Sequence, residues 1–458
     1  GSKAARPIQP ARRRSHVRWK GAGHPSRRPG DLRARRPAVA RCPGRAAHRP
    51  LAVRRANLPA GQPLAQLEEV LAPVYFHHRY SLEACVKLVG GLHYDHGVRG
   101  EGETALDDLI RHIGARGLND LHMIAGITFM SDDGEVIETS PRPMIADLSA
   151  QPWPDREAID IPRYMHTWKT HHGQSSISVI QSRGCPYTCT WCSHSVYGST
   201  HRRRTPNDAA DELLWIKERY NPDLIWYADD VFAINHRWFY QYAEALKQRG
   251  VRIPFECISR ADRLNEDIVR TLADMGCFRL WNGSESGSQK LLDAMQRKVD
   301  AADVRAKTKL LQQHGIETGM FIMLGYEGED MADIAETTAH LKESNPDIFL
   351  TTVAYPIKGT PFYNEVEARV MSDKPWEARS DRDLTIAGRR SRRFYQFATR
   401  WMVSEVALSR AKARGGVSAR RRLKLMMSAG IGRVGMMLTQ RQRERPRGAV
   451  RLIHAQPI

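Results

Sequence analysis

Three cysteines lie close together in residues 183–192, at spacings of four and three residues. These are Cys185, Cys189 and Cys192. Thiolates are soft ligands that select iron–sulfur clusters or zinc. A four-iron cluster normally takes four thiolates, one on each iron. A loop that offers three leaves one iron open to another ligand, which is a place for chemistry.

Two other interpretations of these cysteines stay open. Cys189 and Cys192 could form a zinc site with His194, or the thiols could be buried without a metal. A structural zinc site usually shows two ligand pairs, and no second pair exists here because the remaining cysteines stand alone. They are Cys42, Cys85, Cys257 and Cys277.

The elements around the cysteines alternate regularly between strand and helix patterns, which predicts a parallel sheet. The first strand leads directly into the cysteine loop. A good helix start follows at residues 205–208, with a hydroxyl cap and a proline in the first turn. The six predicted strands are 175–181, 224–227, 255–259, 278–282, 317–324 and 348–355. Six strand-helix units make an incomplete version of the eight-unit barrel and leave a lateral opening.

In a parallel sheet the binding site lies at the carboxyl ends of the strands, so the residues that follow each strand are candidates. Asp229 and Asp230 could accept hydrogen bonds from an ammonium group, or cap a helix. Arg260 could form a forked contact with a carboxylate, or a surface ion pair. Glu285 and Ser286 offer an acceptor and a hydroxyl, or belong to a plain turn.

The cysteine pattern C-x-x-x-C-x-aromatic-C after a predicted strand resembles the signature of the radical S-adenosylmethionine (SAM) superfamily. The resemblance implies that Cys185, Cys189 and Cys192 ligate a [4Fe–4S] cluster and that SAM binds the open iron. It also implies that Trp191 lies against the adenine. The segment Gly-Ser-Glu-Ser-Gly-Ser at 283–288 is similar to one in the cobalamin-type members, and the superfamily is known for a partial barrel.

Upstream, a predicted strand at 86–91 ends in Gly-Gly, and Arg-Gly-Glu-Gly-Glu at 99–103 precedes a helix at 104–113. This order resembles the tail of the cobalamin-binding domain found in that subfamily. The strand, loop and helix that should begin such a domain are missing, which argues against cobalamin binding by this chain although relatives bind it. Four nearby histidines are expected on the surface rather than on cobalt. They are His77, His78, His93 and His96.

The sequence thus predicts an α/β protein with a partial (β/α)6 TIM-like barrel, preceded by a truncated doubly wound remnant and followed by a mostly helical region. A hairpin is expected at 126–130 and 135–138. The expected divisions are a disordered basic segment at 1–60, the cobalamin-domain-like remnant at 61–139, a Pro-rich linker at 140–170, the barrel at 171–365, and basic helices at 366–458. An organellar targeting segment and a wrong-frame translation are alternatives for residues 1–60.

The resemblance implies an enzyme that cleaves SAM reductively, for methylation, rearrangement or cyclisation of an unactivated carbon in a small-molecule substrate. An external electron donor of the flavodoxin or ferredoxin type is then needed. A methylthiotransferase acting on RNA or protein is an alternative, although it should carry three more amino-terminal cysteines. The second alternative is a non-catalytic protein that binds zinc or nucleic acid.

The net charge of +19 is unevenly placed along the chain. Residues 1–60 and 389–458 each carry a net charge of +16, and the part between them, which holds the motifs, carries −13. A nucleic-acid partner is not expected, because its basic surface should lie on the folded, motif-bearing part. No apolar run is long enough to span a bilayer, so a cytoplasmic protein is expected. The basic carboxyl-terminal helices suit peripheral contact with a membrane, although a solvated basic face is the simpler interpretation.

Overall fold

The computed structural model of the protein describes residues 74–77, 96–131, 133–193, 197–374, 380–414 and 417–445. The predicted strand at 86–91 and the predicted disordered segment at 1–60 lie outside the described residues. So do Cys42, Cys85 and His194. Of His77 and His96 only the backbone is described.

A six-stranded parallel sheet forms the centre of the molecule, as the sequence predicts. Its strands are β5 (Ser176–Val179), β8 (Leu224–Tyr227), β9 (Phe255–Ser259), β10 (Cys277–Glu285), β11 (Glu317–Leu324) and β12 (Ile348–Val353). They are hydrogen-bonded in chain order, so β5 and β12 are the two edges. A parallel sheet with neighbouring strands in chain order and free edges is a partial barrel with a lateral opening, and the predicted fold class is confirmed.

Helices follow the strands, and most of them pack on one face of the sheet. They are α3 (Pro206–Tyr220), α4 (His236–Gln248), α5 (Glu266–Met275), α6 (Gln289–Ala294), α7 (Ala301–Gln313), α8 (Met331–Ser344) and α9 (Pro361–Val366). Helix α3 begins where the sequence predicts, since the Thr205 side chain accepts a hydrogen bond from the amide of Asp208 at 3.3 Å.

Alternate residues of the strands face these helices and form the apolar core. Ile177, Val179, Ile225 and Tyr227 lie in one buried cluster with residues of α3 to α5. The opposite face lines the inside of the barrel, where Trp281 stacks on Phe321 at 5.0 Å between ring centres. Period-two alternation therefore separates a helix-covered face from an inner face.

The amino-terminal part forms a separate four-stranded sheet in the order β1–β2–β3–β4. The strands are β1 (Val74–His77), β2 (His96–Arg99), β3 (Ile127–Met130) and β4 (Val136–Glu138), and helix α1 (Gly102–Arg116) follows β2. Strands β3 and β4 pair antiparallel, which confirms the predicted hairpin. Residues assigned to the Pro-rich linker include the beginning of a helix, α2 (Ile161–His172), which has an Asp160 cap.

The carboxyl-terminal region consists mainly of two long helices, α10 (Arg392–Arg414) and α11 (Ala419–Thr439). Both were predicted. Helix α10 packs on α8 and on β11 through Phe394, Ala398 and Met402, which are buried. Short strands complete the described chain, namely β6 (Ser182–Arg183), β7 (Arg202–Arg203), β13 (Val370–Met371) and β14 (Thr385–Ile386).

Candidate active site

The cysteine loop leaves the carboxyl end of β5 and is closed at its base by the antiparallel pair β6 and β7. Gly184 lies between that pair and Cys185, with φ of +82°. A Cβ atom placed on Gly184 would lie 2.2 Å from the carbonyl oxygen of Thr200 and 2.9 Å from that of Tyr197. Only glycine fits there, because both neighbours are backbone atoms that cannot move independently.

We expect Gly184→Ala to destabilise the protein by about 3 kcal/mol or more, since it combines a left-handed backbone with a backbone clash. Gly198→Ala is the matched control. Gly198 also has positive φ, but its added Cβ would meet only the terminal methyl of Met144, at 3.3 Å. Urea unfolding monitored by fluorescence measures both variants. Equal losses in the two would contradict the clash as the cause.

The far end of the loop is tied through Thr190 to three segments that follow strands β10, β11 and β12. Its amide donates to the carbonyl oxygen of Met295 at 3.0 Å, and its carbonyl oxygen accepts from the amide of Phe362 at 3.0 Å. Its hydroxyl lies 2.6 Å from the Tyr326 hydroxyl. The cysteines are thus held across the carboxyl edge of the sheet rather than on a free loop.

The three cysteines of this loop have free thiols, and Cys189 is buried. Burial, with the neighbouring thiols next in size, raises the pKa of Cys192 to about 12. Burial is also the main cause that raises the pKa of Cys185. The raised pKa values of Cys185 and Cys192 keep these two thiols protonated until a cation is present, and a coordinating metal removes the protons outright. This donor set fits an iron–sulfur cluster.

The described residues contain no group of three or more His, Cys, Asp and Glu side chains arranged to hold a single metal ion. In a four-iron cluster each thiolate binds a separate iron, so the cysteines need not converge on one point. The proposed zinc alternative with His194 lies outside the described residues.

Asp229 and Asp230 follow β8 but have different surroundings. Asp229 is fully buried and accepts hydrogen bonds from the amides of Gln181 and Ser182, at 2.7 and 3.1 Å. It also faces Arg203 at 3.5 Å. Burial nevertheless raises its pKa. Asp229 therefore joins the ends of β5 and β8, whereas Asp230 is exposed and close enough to raise the pKa of Cys185.

Arg260 follows β9, and only 2% of it is exposed. Its guanidinium lies 3.6 Å from the ring centre of Tyr187, in the cysteine loop. Nη2 donates to the carbonyl oxygens of Arg297 and Lys298 at 2.9 and 3.2 Å, and Nε donates to Asp262 at 2.8 Å. Nη1 is buried without a hydrogen-bond partner among the described residues.

The Gly-Ser-Glu-Ser-Gly-Ser segment presents its serines to one side of the strand. Ser284 lies 2.9 Å from His340, Ser286 lies 3.1 Å from Thr337, and Ser288 donates to Asp333 at 2.7 Å. The three partners lie on one face of α8, spaced three or four residues apart. The structure thus places Ser286 against α8, and Glu285 on the other side, where its charge influences Cys192.

Glu285 is buried in a left-handed backbone conformation, with φ of +61°. Burial raises its pKa from an ordinary 4.5 to about 7, although Arg297 and Arg260 act in the opposite direction. A carboxyl group with a raised pKa stabilises the fold most when it is protonated. Its contribution is complete below about pH 4.5 and is lost as the pH rises towards 7.

We expect Glu285→Gln to remove that dependence in the cofactor-free protein. Between pH 4.5 and 7 the wild type should lose up to about 3 kcal/mol of unfolding free energy relative to the variant. Burial also raises the pKa of Glu329, to about 8, so its contribution to stability falls with rising pH as well. Because Glu329 is present in both proteins, its contribution cancels in the difference between them. Urea unfolding across this pH range measures the difference. A constant difference would show that Glu285 ionises normally.

The positions around the loop also fit SAM, whose amino-acid end carries both charges. Arg260 offers an unused buried donor for a carboxylate, and Asp230 offers a carboxylate for an ammonium group. The indole Nε1 of Trp191 is buried without a partner among the described residues. An unpaired buried donor costs about 1–3 kcal/mol, so these groups mark a place for polar ligand atoms.

Sequence reasoning missed two residues of this site. Arg297 is buried; its Nη2 donates to the carbonyl oxygen of Gly283 at 2.7 Å, and its Nη1 lies 3.9 Å from Cys189 Sγ. Positive φ values at Gln296 and Lys298 hold it there, but no local motif indicated this.

The second missed residue is Glu101, quoted only as part of a motif of the amino-terminal domain. It accepts hydrogen bonds from Arg183 at 3.0 Å, Arg202 at 2.7 Å and the amide of Ile145 at 2.6 Å. Burial alone would raise its pKa, but these bonds lower it. Glu101 therefore fastens the amino-terminal part to the base of the cysteine loop.

A parallel partial barrel with three cysteines across its carboxyl edge defines a class of iron–sulfur barrel proteins. Residues 179–341 match the sequence model of the radical SAM superfamily. The chain therefore contains a radical SAM domain, and such a domain implies a [4Fe–4S] cluster and SAM. A second model, described as Met-zincin, matches residues 46–108, which contain no H-E-x-x-H zinc motif.

Among curated proteins, the chain is similar to the anaerobic magnesium-protoporphyrin IX monomethyl ester cyclase of Synechocystis. The two are 27% identical over 59% of this chain and 53% of the relative. An uncharacterized methyltransferase of Pyrococcus horikoshii is 26% identical over 57% of this chain and 56% of its own. The chain thus spans a little over half the length of these relatives.

Among solved structures, the fold is similar to that of the cobalamin-dependent S-adenosylmethionine radical enzyme OxsB with aqua-cobalamin bound. The TM-score is 0.59 at 17% identity, and the match covers 80% of this chain and 59% of that one. At this identity the likeness concerns the fold.

Proposed function

We propose that the protein is a radical SAM enzyme whose cluster is held by Cys185, Cys189 and Cys192. The observation that carries this proposal is the fixed position of the cysteine loop, which Thr190 ties to the segments that follow strands β10, β11 and β12 of a partial barrel. When bound, the reduced cluster and SAM would supply a 5′-deoxyadenosyl radical and methionine through one-electron cleavage of the C5′–sulfur bond.

The chain's own residues would position the cofactor. The open donor of Arg260 would bind the methionine carboxylate, and Asp230 would accept from the amino group. The Trp191 side chain packs against the buried cluster that contains Tyr326 and Phe362, and it would border the adenine. Of the two candidates Glu285 and Ser286, Glu285 is the one on the side of the cysteines, and it would contact the ribose or the amino-acid part of SAM.

The substrate is proposed to be a small molecule with an unactivated carbon, for methylation, rearrangement or cyclisation. The named relatives include a cyclase and a methyltransferase, which supports this range. Cobalamin is proposed as a third cofactor only on the condition that the cobalamin-domain-like remnant at 61–139 binds it, which the test below decides. The domain boundaries expected from the sequence also remain proposals, at residues 61–139, 140–170, 171–365 and 366–458.

An enzyme of this class needs a reductant, and a flavodoxin or ferredoxin is the proposed donor. None of the helices in the described residues has the length and apolarity needed to cross a membrane. A cytoplasmic location is proposed because cluster chemistry needs a reducing setting. Peripheral membrane contact, the other expectation from the sequence, concerns the carboxyl-terminal helices and does not depend on this reaction.

Anaerobic reconstitution with iron and sulfide tests the proposed function. We expect about four irons per chain, an absorbance shoulder bleached by dithionite, and 5′-deoxyadenosine after SAM is added. A colourless protein with one zinc would overturn the proposal. Adding hydroxocobalamin before gel filtration tests the third cofactor, whose corrin spectrum should be retained only if the domain is complete.

A further inference from the structure

Helix α11 has an unusual distribution of side chains. Its buried face consists largely of small residues together with Met436, and seven other large apolar side chains point outward. Ala429, Gly432 and Gly435 are buried against α10. A Cβ added to Gly432 would lie 2.7 Å from the backbone of Trp401, and one on Gly435 would lie 2.4 Å from the Phe397 ring. The small residues let the two helices approach closely, which leaves little room between them for large side chains.

Seven large apolar side chains are exposed on the opposite face of α11, each by 45% or more. At 3.6 residues per turn, they fall within one continuous stripe along the helix. They are Leu423, Met426, Met427, Ile431, Val434, Met437 and Leu438. We call this set the outer apolar face. A contiguous exposed apolar surface of this kind marks an interaction site.

Basic residues surround the outer apolar face. By helical geometry, Lys424 and Arg433 lie along its two margins. Residues 420–422 are three consecutive arginines at the first turn, and Arg441, Arg443 and Arg445 follow the last turn. Within the described residues no carboxylate pairs with residues 420–422, Lys424 or Arg433. Arginines at a helix amino terminus oppose the helix dipole, so they do not stabilise α11 itself.

We propose that the outer apolar face of α11 docks peripherally on an anionic lipid surface. The apolar side chains would enter the boundary between headgroups and acyl chains, and the basic residues at the margins and ends would contact the headgroups. Charge complementarity supports this occupant. The acids of residues 392–445 are only Glu405 and Glu444, and Glu405 already pairs with Lys342 at 3.2 Å.

Charge also disfavours the other occupants. A second copy docked through this face would bring basic ends together in either orientation, because both ends of α11 are basic. Residues 1–60 and 446–458 of this chain are basic as well. Residues 61–95 are not basic, so charge does not disfavour them as a cover for the outer apolar face. This occupant is one outcome of the test below.

Vesicle flotation of the full chain tests the proposal. We expect binding to vesicles of phosphatidylcholine and phosphatidylglycerol in about a 3:1 ratio, and little to phosphatidylcholine alone. The double variant Leu423→Gln with Leu438→Gln should lose binding by at least about tenfold. Its matched control is Leu118→Gln with Met123→Gln, which changes two exposed apolar residues of the amino-terminal part and should bind normally.

The double variant Lys424→Gln with Arg433→Gln should bind about 25-fold more weakly, which corresponds to about fivefold for each charge. Arg237→Gln, an exposed change on α4, is its control. Equal binding to neutral vesicles would overturn the anionic surface. No binding to any vesicle would overturn the proposal. Sedimentation as a dimer would then indicate a second copy on the face, and sedimentation as a monomer would leave residues 61–95 as the occupant to test.

Discussion

Replacing Cys189 with alanine is expected to abolish formation of the intact cluster and to lower 5′-deoxyadenosine production by at least about 10³-fold, as removal of a catalytic group does. Cys189 is the buried member of the three, and Arg297 Nη1 lies 3.9 Å from its sulfur. Two thiolates would remain for a cluster that needs three from the protein. Iron and sulfide analysis with product chromatography measures the loss.

The control for this change is Cys277→Ala. Cys277 is also buried, but it lies at the start of β10, and its thiol donates to the carbonyl oxygen of Arg279 at 3.4 Å. The Cys277→Ala change should lower the unfolding free energy by about 1 kcal/mol and leave the iron content unchanged. Full iron content in the Cys189 variant would exclude this loop as the cluster site.

Replacing Arg260 with lysine is the second large expected effect. Lysine keeps the charge but cannot form the fork that joins two carbonyl oxygens, Asp262 and the Tyr187 ring. Four contacts of a side chain exposed by only 2% would be weakened together. We expect a loss of about 3 kcal/mol in unfolding free energy and an increase of about tenfold in the SAM dissociation constant.

Arg263→Lys is a close control because Arg263 also pairs with Asp262, at 3.0 Å, and lies 5.8 Å from the same ring. Its side chain is 37% exposed, so the change should cost less than about 1 kcal/mol. Urea unfolding and calorimetric titration with SAM separate the two variants. Similar losses in both would show that the general positive charge matters and that the geometry of Arg260 does not.

Much of the barrel could be predicted because its signals are local. Strand and helix patterns alternate over short stretches, and each stretch carries its own caps and turns. The observed strand β10 is longer than predicted and includes Glu285. Glycine and serine are poor strand formers, so the segment 283–285 gave no strand signal. Pairing with β11 supplies the hydrogen bonds that hold it extended.

The roles of the motif residues could be predicted less well than their positions. Asp229 and Asp230 are adjacent in sequence, yet one braces two strands and the other lies near the thiols. Ser286 and Glu285 differ in the same way. Neighbouring residues at a strand end point to opposite sides, and the sequence alone does not specify which side carries the site.

The sequence by itself determined the cysteine spacing, the order of strands and helices and the basic character of both ends, because each of these is a property of short, contiguous segments. Only the tertiary structure decided that Arg297 lies beside Cys189, that Glu101 fastens the amino-terminal part to the loop, and that α11 turns its large apolar residues outward. Such contacts join residues far apart in the chain, and they depend on how whole elements pack.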